Sequence, residues 1–110
     1  MLAGDDALTL AVLSIGGRGV VSVVANIAPS DVAQMVVEFE KGNLDNARKL
    51  HYKLMPLVKA VFMETNPIPV KTAMALMKMC EPDLRLPMCE MSSGNKEKLR
   101  KALKDYGLLK

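Results

Sequence analysis

Residues 19–26 read GVVSVVAN, and this run limits the fold more than any other part of the chain. Val20, Val21, Val23 and Val24 are β-branched and are interrupted only by Ser22. Such side chains suit an extended backbone, and a run without a polar face reads as a strand buried on both sides. A strand of that kind needs neighbours on both edges and cover on both faces. A parallel pair with an open edge is poorly stable in water. The sequence offers one partner, a stub at MLAG, so either the other strands come from elsewhere, which is the favoured reading, or the run is not a strand.

The remaining segments carry helical periodicity. DDALTLAVLSIGG reads as a helix with Asp5 or Asp6 as its cap, Leu8, Ala11, Val12 and Ile15 on one buried face, and Gly16-Gly17 as its end. In APSDVAQMVVEFEKGN, Ser30 is the expected cap, Val32, Met35, Val36 and Phe39 the buried stripe, and Gly42 the stop. NLDNARKLHYKLMPLVKAVFMET repeats the pattern. Asn43 caps it, Leu44, Ala47, Leu50, Leu54, Leu57, Val58 and Val61 face inward, and Pro56 is expected to kink or break it.

ETNPIPVKTAMALM places Pro67 and Pro69 at the start of a further helix, where a missing N–H costs nothing, with Asn66 as cap. Ile68 precedes a proline and is pushed toward extended backbone. The phrase reads as a rigid elbow between helices. EPDLRLPMCEMSS is a loop. NKEKLRKALKDYG is the last helix, with Leu99, Ala102, Leu103 and Tyr106 on one side and Gly107 after it.

The order of strand stub, helix, buried strand, helix and extra helices fits the end of a (β/α)8 barrel. The expected fold class is therefore α/β: the last one or two strands of a TIM barrel followed by an appended C-terminal helical region, with the chain itself mostly α. Residues 1–42 are assigned to the barrel and 43–110 to the helical region. In a barrel the chemistry sits at the C-terminal ends of the strands. Here these are Gly4-Asp5-Asp6 and Ala25-Asn26.

Composition excludes several classes. Half the residues are hydrophobic and a quarter are charged, which excludes a disordered chain. No apolar run reaches the roughly 18 residues that a membrane span needs. The opening MLAGDDALTL carries two acids and no base, unlike a secretory signal, so a cytoplasmic protein is expected. Cys80 and Cys89 sit in no paired metal motif, and His51 is the only histidine, so free thiols are expected rather than a zinc site. Residues 96–110 carry a net +4 out of +3 for the whole chain, leaving −1 elsewhere. With two Phe, two Tyr and no Trp for base stacking, that basic segment reads as a solvated helix face and not as a nucleic-acid site.

Four phrases in order and spacing, LAGDDALTL, GGRGVVSVVANIAP, LMPLVKAVFMETNPIPVKTAM and LRLPM, resemble the C-terminal part of the dihydrodipicolinate synthase family. The terminal LRKALKDYGLL fits as well. The likeness runs over essentially the whole chain but over only about the last third of a typical member. NPIPVK followed by LRLP separates this family from the related sialic-acid and keto-sugar aldolases. Ala3, Thr65 and Cys89-Glu90 depart from the family's usual residues.

The resemblance implies a Schiff-base lyase of lysine and diaminopimelate biosynthesis. Pyruvate would form an imine with a barrel lysine, and the derived enamine would attack aspartate-4-semialdehyde to give 4-hydroxy-tetrahydrodipicolinate. It implies a homotetramer, no cofactor, and neither nucleic acid nor membrane as partner.

The Schiff-base lysine, the proton-relay residues and the arginine that receives the aldehyde match no position of this chain, so the chain alone is expected to be inactive. Val21 matches the family's pyruvate-contacting aliphatic position and Gly4 the glycine that leaves room at the site. Asp5 beside it is either site-shaping or a helix cap. Ser22 and Asn26 are weaker candidates. Tyr52, Tyr106 and His51 fall in regions remote from the family's site. An alternative is a non-catalytic interaction module, or half of a split synthase.

Overall fold

The computed structural model describes residues 1–110, which divide into two compact units, Met1–Val58 and Lys59–Lys110. The first holds a 3₁₀ turn at Asp6–Leu8, helix α1 (Thr9–Ser14), a second 3₁₀ turn at Val24–Asn26, and helix α2 (Pro29–Glu40). Helix α3 (Leu44–Val61) begins in the first unit and ends in the second. The second unit adds α4 (Ile68–Leu76) and α5 (Ser93–Tyr106).

The expected strand at Val20–Val24 does not form. A single parallel bridge joins Ala3 and Val20, and the chain enters a 3₁₀ turn at Val24. Val24 is fully buried, but Val21 is 70% exposed. Only one neighbouring segment is present, so the backbone ladder ends after one bridge. The amides of Val23 and Val24 turn to a side-chain acceptor, Asp6, instead. The chain is thus mostly helical, as expected, without a continuous strand.

Helix α1 presents the opposite face from the one expected. Leu8 and Ile15 are 55% and 72% exposed and Ala11 is exposed, while Thr9 and Leu13 are buried. The first turn is 3₁₀, which shifts the register of the stripe relative to a helix that starts at the aspartates. Gly16 and Gly17 do end the helix: their amides donate to the Leu13 and Val12 carbonyls at 3.1 and 2.8 Å. Gly17 allows this close return. A Cβ there would stand 2.4 Å from Val12 Cγ1 and 2.7 Å from the Val12 carbonyl oxygen.

In α2, Val32 and Met35 are buried and Val36 and Phe39 half-buried, as the stripe predicts. The cap differs. Ala28 holds the N-cap position and Pro29 the first turn, so Ser30 lies inside the helix. Glu38 is buried near the end of α2 and accepts from Gln34 Nε2 at 2.8 Å, Asn43 Nδ2 at 2.7 Å and Asn46 Nδ2 at 3.3 Å. Asn43 therefore spends its side chain on Glu38, and its carbonyl accepts from the Ala47 amide as α3 begins.

Helix α3 runs without a break through Pro56. Pro56 and Tyr52 are both exposed, so the Tyr52 carbonyl that loses its i+4 donor is on the solvated side. Ala47, Leu54, Leu57, Val58 and Val61 are buried as expected, but Leu44 is 41% exposed.

In the second unit Pro67 occupies the N-cap position of α4 and Pro69 its first turn, without a side-chain cap from Asn66. The Asn66–Pro67 and Leu86–Pro87 peptide bonds are cis. Helices α4 and α5 pack together. Leu99 and Leu103 of α5 are fully buried, each contributing about 1.5–3 kcal/mol by the area removed from water. Gly107 ends α5 at φ +95°, and the Leu108 amide returns to the Leu103 carbonyl at 2.9 Å.

The start of α5 is held by Glu64. Its Oε2 accepts from Ser92 N at 3.2 Å, Ser92 Oγ at 3.1 Å and Asn95 Nδ2 at 2.9 Å. These bonds, Asn95 foremost, hold the Glu64 carboxyl below its ordinary value of 4.5 against the opposing effect of desolvation.

Two outcomes follow from these contacts. Gly17→Ala forces the backbone near Val12 to move and lowers stability by about 1–3 kcal/mol, read as a shift in thermal midpoint. Glu64 favours folding as the anion, so its contribution is full above pH 4.5 and fades as pH falls through its lowered folded value. The midpoint difference between the unaltered chain and Glu64→Gln should be present at pH 7 and shrink in acid. A difference that stays constant down to pH 2 would refute the cap.

Candidate active-site wall

The wall is built where the first two chain segments meet. The Ala3 amide donates to the Gly19 carbonyl at 2.8 Å, and the Val21 amide donates to the Ala3 carbonyl at 2.8 Å. Gly4 follows Ala3 and Val21 follows Val20, so the bridge sets the two candidate residues side by side just beyond it. Both are exposed. Nothing stands within 4 Å of a Cβ built on Gly4.

Asp5 accepts from the Ala7 amide at 2.8 Å and is exposed, capping the 3₁₀ turn. Asn26 is exposed and donates to the Val23 carbonyl at 3.0 Å. Tyr52 and His51 stand edge to face on α3, 5.4 Å apart, away from the Gly4–Val21 pair in sequence and in hydrogen bonding.

The sequence marks Asp6 as a possible cap at a strand end, but not the role the structure gives it. Asp6 is 6% exposed, and no cation pairs with it. Its Oδ1 accepts from the Ser22 hydroxyl, and its Oδ2 accepts from the amides of Val23 at 2.9 Å and Val24 at 3.2 Å. The Ser22 oxygen in turn accepts from the Ala25 amide at 2.8 Å. The Thr9 hydroxyl, buried, donates to the Asp6 carbonyl at 2.9 Å. Two adjacent aspartates at a helix start look equivalent in sequence, and only burial tells the cap from the tether.

No group of three or more His, Cys, Asp or Glu side chains is placed to hold a metal ion. Cys80 is half-buried and Cys89 exposed, both as free thiols. A separate hollow of about 610 Å³ in the first unit is lined by Leu10, Phe39, Leu44 and Tyr52 among others, and none of Gly4, Asp5, Asp6 or Val21 borders it. No helix is long and apolar enough to cross a membrane.

The profile of the dihydrodipicolinate synthetase family matches residues 1–106. The 4-hydroxy-tetrahydrodipicolinate synthase of Endomicrobium trichonymphae is 63% identical over 110 residues, which is all of this chain and 38% of that protein. A solved dihydrodipicolinate synthase described as a monomeric variant is 49% identical with a TM-score of 0.94, over 96% of this chain and 35% of its own. The chloride-inhibited dihydrodipicolinate synthase of Acinetobacter baumannii, solved with pyruvate, is 34% identical with a TM-score of 0.94, over 98% of this chain and 37% of its own. The chain thus spans little more than a third of the length of the relatives it matches.

Because a Cβ on Gly4 meets no neighbour in this chain, Gly4→Ala should leave the thermal midpoint of the isolated chain unchanged to within about 1 °C. A larger loss would mean that Gly4 serves folding and not an open surface.

Proposed function

The chain belongs to the dihydrodipicolinate synthetase family, and on that footing we propose that it is the C-terminal part of a pyruvate-dependent Schiff-base lyase. The substrates are pyruvate and aspartate-4-semialdehyde, the product is 4-hydroxy-tetrahydrodipicolinate, and the pathway is lysine and diaminopimelate biosynthesis. One observation supports the reading above the others. Gly4 and Val21 stand together, exposed, just beyond the Ala3–Val20 bridge, where a barrel places its chemistry.

In this proposal the chain supplies a wall and no proton chemistry. Val21 packs beside the Schiff base and presents backbone toward the bound pyruvate, and Gly4 leaves room for its approach. The electron sink is the imine on a lysine outside this chain: the amine adds to the pyruvate ketone, water leaves, and loss of a methyl proton gives the enamine. An apolar wall disfavours water beside that enamine and so limits its loss to hydrolysis. Asp5 contributes by fixing the turn that follows Gly4.

In this reading the whole enzyme is a cytoplasmic homotetramer without a cofactor, although the monomeric relative shows that assembly varies among these synthases. The exposed side chains of Leu2, Leu8 and Ile15 are the surface on which the remaining barrel strands and helices would close.

Borohydride reduction in the presence of labelled pyruvate tests the reading. The full-length synthase should take up label covalently, and the 110-residue chain alone should not. Label on the isolated chain would contradict the assignment of the Schiff-base lysine to another segment. The alternative, a split enzyme, is decided by the DNA upstream of Met1: a continuous frame encoding barrel strands supports one chain, and a stop codon supports two.

A further inference from the structure

We propose that Asp6 is a positioning residue for the pyruvate wall, its carboxylate fixing the segment that follows Val21 and so the fit of a short 2-oxo acid against Gly4 and Val21. The inference rests on the role given to Gly4 and Val21 above.

Backbone pairing between the two segments stops early. Arg18 N to Met1 O, Ala3 N to Gly19 O and Val21 N to Ala3 O are its hydrogen bonds, and none lies beyond Val21. Past that point the Asp6 carboxylate takes over. Its three donors, the Ser22 hydroxyl and the Val23 and Val24 amides, begin one residue after Val21, and Asp6 itself lies two residues after Gly4. The wall is therefore bracketed, by the bridge on one side and by one carboxylate on the other.

The choice of residue is informative. A buried carboxylate without a cation loses hydration, and this is tolerated only when donors replace the water. Asp6 has such donors on both oxygens, and Ser22 relays one of them on to the Ala25 amide. An asparagine would offer one acceptor and would turn an NH2 toward a donor or toward Ser22. As the carboxylate, both Asp6 oxygens accept; an asparagine keeps the tether only by reversing the Ser22 bond, with the hydroxyl accepting. Asp6 is also held from behind, since the Thr9 hydroxyl binds its carbonyl at 2.9 Å. Movement of the carboxylate is therefore transmitted to residues 21–25, not absorbed by residues 5–7.

The test uses the full-length synthase with Asp6→Ala, Asp6→Asn and Ser22→Ala, and measures KM for each substrate, kcat and thermal midpoint. Asp6→Ala should raise KM for pyruvate about tenfold, with kcat and KM for the aldehyde changed less than about threefold. Ser22→Ala, which leaves the two amide bonds in place, should raise it by less, and Asp6→Asn should fall between the two. If Asp6→Ala does not fold, the order of the other two variants decides. Variants with a lowered midpoint but an unaltered KM for pyruvate would reduce Asp6 to a structural tether and overturn the inference. Failure of the unaltered enzyme to trap pyruvate under borohydride would instead overturn the underlying function, and this inference with it.

Discussion

One carboxylate organises the first unit. Asp6 is buried, has no cation beside it, and is satisfied by a hydroxyl and two amides from residues 22–24. Sheets usually hold parallel segments together by repeated backbone bonds. Here there is a single bridge, and a side chain completes the task that a ladder would otherwise perform. The 3₁₀ turn at Val24–Asn26, the entry into α2 and the placement of Val21 all depend on where those amides point. The energetic logic is strict, because an unsatisfied buried carboxylate costs several kcal/mol and a satisfied one is close to neutral.

Much of the helical architecture was legible from the sequence. Ala47, Leu54, Leu57, Val58 and Val61 recur at helical spacing and are buried, as are Leu99 and Leu103. Gly16, Gly42 and Gly107, all with positive φ, mark helix ends where the sequence places them. These signals are local and do not depend on neighbours far away in sequence. The four phrases from LAGDDALTL to LRLPM also led to the family that the comparisons show.

What failed was non-local. A strand at Val20–Val24 is a statement about neighbours, and with one neighbour present the backbone forms a bridge and then turns. The face of α1 failed for a related reason. Leu8, Ala11 and Ile15 are apolar and share a stripe, but that stripe meets solvent in this chain, and the burial falls to Thr9 and Leu13. Caps were misassigned at Ser30 and Asn66 because a proline already supplies the first turn at each place. Asp6 was hidden by Asp5: two carboxylates in a row at a helix start carry the same short-range signal. Glu38 was hidden by its own charge, since nothing nearby in sequence announces that Gln34, Asn43 and Asn46 will converge on it.

The tether has a kinetic side as well. Its partners are separated by 16, 17 and 18 residues, a short loop for the contacts that hold residues 22–24 in place. Closing a loop of that length costs little entropy and takes well under a millisecond. A barrel as a whole is assembled from distant strands and is correspondingly slow. This corner needs no distant strand to reach its shape. If the chain is the end of a barrel, as proposed above, this corner is set before the last seam closes, and the rest of the protein closes on a surface already formed.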